Sequence, residues 1–169
     1  IVAAGIGSGA LAKAAGDHVP LVSERGYHVV VAAPEVWPEI PVMPSDGKMA
    51  NTMTRGGLRA AGQVELARVD AAPNWRRADI LLKHLAATYP GLKGHAEAAR
   101  VATWLGHRPS TPDGLPVIGR SWASDDIVYA FGHGHIGLAA GPASAELAVA
   151  LATGRACGID AAPYAADRF

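Results

Sequence analysis

The chain has 169 residues, the length of one ordinary domain or of a piece of a larger one. Fifteen basic side chains balance fifteen acidic ones, which argues against a nucleic-acid or anionic-membrane binder, since phosphates demand a basic excess or stripe. Half of the residues are hydrophobic and 18% are charged, so the chain can bury a core, and its one cysteine, Cys157, excludes an internal disulfide framework and a multi-cysteine zinc site. A reducing compartment is expected, the cytoplasm, with a peripheral position at the inner membrane as the alternative. Twenty glycines and twelve prolines imply sharp turns and short elements. Neither a signal peptide nor a spanning helix is legible, because His133, His135, Pro142 and Glu146 interrupt the most apolar stretch, residues 127–153. The chain opens at Ile1 inside an apolar run, so a preceding segment is expected in the gene product.

Residues 1–4 read as a short strand, and Gly5, Gly7 and Gly9 form a turn into an alanine-rich helix, residues 10–15, stopped by Gly16. Strand, glycine turn and helix is an α/β pattern. Residues 26–32, 48–54, 63–68 and 99–105 are short, β-rich and bounded by turn residues. Pro34, Pro38, Pro41 and Pro44 mark an irregular connection. The turns Asp46-Gly47 and Arg55-Gly56-Gly57 predict antiparallel neighbours. Asn74 is the expected N-cap of a helix in which Ala78, Leu81, Leu82, Leu85 and Tyr89 recur at helical spacing, with Pro90-Gly91 ending it. That helix should pack on the sheet, its basic residues forming a solvated face. Residues 127–131 read as an apolar strand, followed by a glycine-rich loop and a helix over residues 143–152 that ends at Gly154. The tail, residues 159–169, has little periodicity and is expected as a surface segment.

Three places bear chemistry. Gly132, Gly134 and Gly137 satisfy G-x-G-x-x-G between strand and helix, a pattern that lets backbone approach a ligand and offers it the unpaired amides of a helix start. A dinucleotide fold needs a further strand with an acidic residue, and residues 154–158 form none, so a turn built for close helix packing stays open beside ligand binding. His133 and His135 stand two apart without a third ligand, which disfavours a metal. Trp104 to Gly119 forms the most distinctive run, with Arg108 fixed before Pro109. An arginine stiffened in this way suits bidentate capture of a carboxylate, and pairing with a local carboxylate such as Asp113 is the alternative.

Arg25-Gly26-Tyr27-His28, the run from Gly106 to Gly119, and the run from Tyr129 to Leu138 together resemble the C-terminal half of bacterial D-amino-acid dehydrogenases. More broadly, the chain is similar to the FAD-dependent D-amino-acid oxidase and glycine oxidase family over nearly its whole length. The resemblance implies an α/β fold with an antiparallel or mixed-sheet substrate domain of α+β character, and a chain forming the C-terminal part of a two-domain FAD oxidoreductase. Residues 1–18 would be a returning segment of the FAD-binding domain, 19–103 the substrate domain and 104–169 the closing FAD segment. The cofactor implied is FAD, bound by Gly5 and by Gly132, His133, Gly134, His135, Ile136, Gly137, Leu138 and Ala139. Arg108 would bind the substrate carboxylate, with Tyr27 and His135 as further substrate contacts. The implied reaction is oxidative deamination of a D-amino acid to a keto acid and ammonia, with a quinone, oxygen or a carrier as electron acceptor. Alternatives are a glycine or sarcosine-type oxidase of the same fold and a non-catalytic binding or structural module. Self-association, or pairing with a chain that supplies the missing half, is expected of the isolated chain, which should be inactive alone.

Overall fold

The computed structural model describes residues 1–92 and 100–169, which leaves the expected strand start at Ala99 and the histidine at 95 outside the described residues. The chain divides into two compact units: the first is Ile1–Glu24, Leu66–Val69 and His107–Phe169, the second Arg25–Glu65 and Asp70–Gly106. The boundaries anticipated from sequence, after residues 18 and 103, fall earlier than these cuts. The cuts lie inside strands β1 (Val22–Val31) and β4 (Val101–Ser110) and near the end of β3 (Gly57–Leu66).

The second unit is organised on a four-stranded sheet in the order β2-β3-β1-β4, where β2 is Met49–Thr54. β2 and β3 are antiparallel, with Met49 opposite Gly62 and Thr54 opposite Gly57. β3 begins six residues before the predicted start. Its opening, Gly-Leu-Arg-Ala-Ala-Gly, has weak β-propensity, and cross-strand pairing overrides it. Gly57 holds φ +128°, and a Cβ there would stand 2.1 Å from the Val31 carbonyl oxygen, so the close strand approach requires glycine. Helix α2 (Arg76–Thr88) lays Ala78, Leu81 and Leu85 into one core with Val29, Val31, Met49, Leu58 and Ala60. Burying each of those leucines contributes roughly 1.5–3 kcal/mol. The helix starts later than predicted and has no side-chain cap: Asn74 instead donates its backbone N–H to the Tyr27 hydroxyl at 3.0 Å. On its polar face Arg76 and Lys83 are exposed, whereas Arg77 lies 3.6 Å from Glu65.

In the first unit a short hairpin, β5 (Val117–Arg120) and β6 (Val128–Phe131), is covered on both faces. Alternation sends Val117, Tyr129 and Phe131 to a core shared with Ala12 of helix α1 (Ser8–Ala15). It sends Ile118 and Val128 to a second core with Leu147 and Ala148 of helix α3 (Gly137–Thr153). The predicted first strand shrinks to one parallel bridge, Val2 to Tyr129, which adds a mixed character to this sheet. β5 has no counterpart in the sequence expectations, because four residues between turns carry too little periodicity to be recognised. The tail departs from the expected surface segment. Ala166 is 5% exposed in the Val117 core, and Arg168 clasps Asp113 at 2.7 Å. No helix among the described residues is long and apolar enough to cross a membrane.

Candidate functional site

The first unit contains a cleft of about 460 Å³ between the end of β4 and the loop that follows β6. Glu24, Ser110 to Gly114 and Gly132 to Ile136 line it. Two backbone ties fix the loop against the strand: an antiparallel bridge between Ser110 and His133, and a 2.9 Å hydrogen bond from Gly134 N–H to the Pro109 carbonyl. Gly134 sits at φ +52°, and a Cβ would come within 3.2 Å of Ser110 Oγ. Glycine there serves the loop's own turn as well as any ligand's approach.

The loop feeds directly into α3. The first intrahelical bond from this end runs from Ala140 N–H to the Ile136 carbonyl, so the amides of Gly137, Leu138 and Ala139 precede the hydrogen-bond ladder. They form the positive end of a 17-residue helix beside the cleft, and Leu138 itself is 97% exposed. The electropositive helix start beside the cleft fits an oxygen-rich group such as the edge of a flavin. Of the loop residues named from sequence, Gly132, His133, Gly134, His135 and Ile136 line the cleft, whereas Gly137, Leu138 and Ala139 are the first turn of α3. Gly5 lies in a 3-10 turn ahead of α1 and is not part of the cleft lining.

The side chains divide by partner. His133 turns its Nε2 to Ser144 Oγ at 2.8 Å, and burial holds its pKa below the ordinary histidine value. His135 places Nε2 2.9 Å from Glu24 Oε2, which also accepts a 3.1 Å hydrogen bond from Ser110 Oγ. Asp113, the local carboxylate considered for Arg108, is taken by Arg168, whose hydrogen bonds lower its pKa to about 2. Arg108 stands on β4 two residues before Ser110, and strand alternation puts the two on one face. Among the described residues no group of three His, Cys, Asp or Glu side chains is arranged to hold a metal.

Tyr27 is placed in the core of the second unit at 1% exposure. Its hydroxyl donates to Glu65 at 2.5 Å and accepts from Asn74 N–H, and that bond is the leading reason the Glu65 carboxyl titrates below its usual range. Arg25, equally buried, donates to the carbonyls of Ala71 and Ala72. Glu24 was missed by sequence reasoning. The available signal was a carboxylate in the strand-forming run of β1, directly before Arg25.

The family model described as FAD dependent oxidoreductase (DAO) matches residues 1–151. The chain belongs to that family. Over its full length it is 50% identical to a D-amino-acid oxidase of Bradyrhizobium diazoefficiens, covering 40% of that protein. It is 32% identical to a glycine oxidase of Pseudomonas aeruginosa over 98% of the chain and 44% of the relative. The chain thus spans about two fifths of the length of the curated relatives it matches. Among solved structures, glycine oxidase from Geobacillus kaustophilus superposes with a TM-score of 0.80 at 24% identity, over 98% of this chain and 44% of that one, which establishes a shared fold. The α/β class with an antiparallel sheet, read first from the sequence, holds, and FAD is the cofactor of the family.

Proposed function

We propose that the chain is the C-terminal part of an FAD-dependent enzyme that oxidises D-amino acids to keto acids and ammonia. The observation that carries this reading is the cleft itself, where the loop Gly132 to Ile136, which leads into α3, meets the end of β4 at Ser110, two residues after Arg108. The 50% identity to a D-amino-acid oxidase supports the substrate class. FAD, when bound, supplies the acceptor for the hydride leaving the substrate Cα. The chain's residues would position and desolvate: Arg108 would bind the substrate carboxylate in a planar fork, and the loop Gly132 to Ile136 with the first amides of α3 would hold the flavin. We assign the first unit to the cofactor and the second to the substrate domain, with residues beyond this chain completing the cofactor site. The single cysteine supports a cytoplasmic setting. Glycine oxidation is the second reading, supported by 32% identity to a glycine oxidase.

The test is steady-state kinetics of the FAD-loaded enzyme with D-alanine, L-alanine and glycine, following keto acid and ammonia. Turnover of D-alanine well above glycine supports the first reading, and the reverse order supports the second. Arg108→Lys keeps the charge but loses the fork, and a charge-assisted hydrogen bond is worth about 1.5–3 kcal/mol, roughly a 10- to 150-fold rise in KM. An unchanged KM removes Arg108 from the site.

A further inference from the structure

Within the cleft, Glu24 presents a carboxylate whose two oxygens have different fates. Oε2 is held from both sides, by Ser110 Oγ at 3.1 Å and by His135 Nε2 at 2.9 Å. Oε1 has no protein partner among the described residues, and the side chain remains 27% exposed. The cleft's other carboxylate, Asp113, is neutralised by Arg168, and no other acidic side chain lines the cavity. Glu24 is therefore an oriented, accessible carboxylate, whereas Asp113, the other one in the cavity, is already paired.

Its position relative to Arg108 narrows what it can bind. Ser110, which touches Glu24, shares a strand face with Arg108 two residues away, a spacing of about 7 Å along β4. One face of β4 therefore carries the Arg108 cation and, reached through Ser110 at the cleft, the Glu24 anion. A zwitterionic α-amino acid holds its negative and positive poles one carbon apart and can engage both.

We propose that Glu24 is the receptor for the α-ammonium pole of the substrate, with Ser110 and His135 as positioning residues that aim its carboxylate. The assignment rests on the amino-acid reading given above and adds to it the group that selects amino over hydroxy acids. A hydroxy acid of the same shape leaves Glu24 facing a neutral hydroxyl, and the charged hydrogen bond is lost.

The experiment uses 2-aminoisobutyrate and 2-hydroxyisobutyrate, which lack a Cα hydrogen and so cannot lose hydride, together with n-butylammonium, which has no carboxylate. Calorimetry on the enzyme with FAD added gives each Kd, and NMR shifts of the His135 ring report occupancy beside Glu24 whatever the activity. Expected is 2-aminoisobutyrate binding at least ten-fold tighter than either other probe. In Glu24→Gln that advantage disappears, while 2-hydroxyisobutyrate affinity stays as it was. Ser110→Ala, which removes one of the two positioning bonds, gives a smaller loss of the same kind. Equal binding of 2-aminoisobutyrate to wild type and Glu24→Gln, with both folded by circular dichroism, overturns the proposal and leaves the amino-acid reading standing. Tight, Glu24-dependent binding of n-butylammonium overturns it in favour of a side-chain ammonium subsite. Failure of both acids to bind wild type defeats the amino-acid reading, and this proposal with it.

Discussion

The Tyr27 hydroxyl joins three elements of the second unit: its own strand, Glu65 on β3 and the backbone entering α2. Removing it takes the Tyr27 hydrogen bond from the Glu65 carboxylate, which keeps Arg25 and Arg77 within 3.6 Å, and takes from the Asn74 N–H its acceptor. Tyr27→Phe is accordingly expected to destabilise the protein by roughly 1–3 kcal/mol in urea titrations, with no change in KM for amino acids. A rise in KM at unchanged stability would restore the substrate contact that the family resemblance implies for this residue. Arg25 is likewise structural, a buried charge that donates to the carbonyls of Ala71 and Ala72 and lies 3.6 Å from Glu65. A motif such as Arg-Gly-Tyr-His is legible from sequence, but whether its members face a ligand or a core depends on partners that are not adjacent in the chain.

At the scale of elements, α2 was the most legible feature because its leucine spacing encodes a buried stripe that local geometry must respect. Leu85 is fully buried in that stripe. Leu85→Ala should therefore cost about 2–5 kcal/mol, read as a lower urea midpoint with unchanged slope. A loss below about 1 kcal/mol would mean that the sheet collapses into the space. α3 begins at Gly137, six residues ahead of the expected Ala143, with Pro142 inside it. The proline falls near enough to the N-terminus that its missing N–H removes one early bond and leaves the remaining turns intact. β4 likewise runs on through Pro109 to Ser110. That continuation carries Arg108 and Ser110 on one strand, beyond the expected end at residue 105.

For the whole molecule, pH is the probe that reads many buried contacts together. Burial lowers the pKa of His133 and of His28, which also lies near Arg59, so between their folded values and the free value near 6.5 the unfolded chain binds protons that the native one does not. Their contribution is complete above pH 6.5 and is lost as pH falls through the folded values. Asp113, held at about 2 by Arg168, adds a second loss between roughly pH 4 and 2, joined by Glu65. Melting temperature against pH should thus fall in two steps on the acid side. His133→Gln should flatten the upper step and Asp113→Asn the lower, and a profile flat from pH 7 to 4 would contradict the first. The sequence by itself determined the α/β class, the leucine stripe of α2 and the glycine loop between an apolar strand and a helix, because backbone periodicity and turn chemistry are local properties. The tertiary structure alone decided that Glu24 meets Ser110 and His135, partners 86 and 111 positions away. It also decided that the tail closes over β5 and that Tyr27 turns into a core. Each of these depends on strand register and packing, and no local residue pattern specifies which distant side chain will stand opposite.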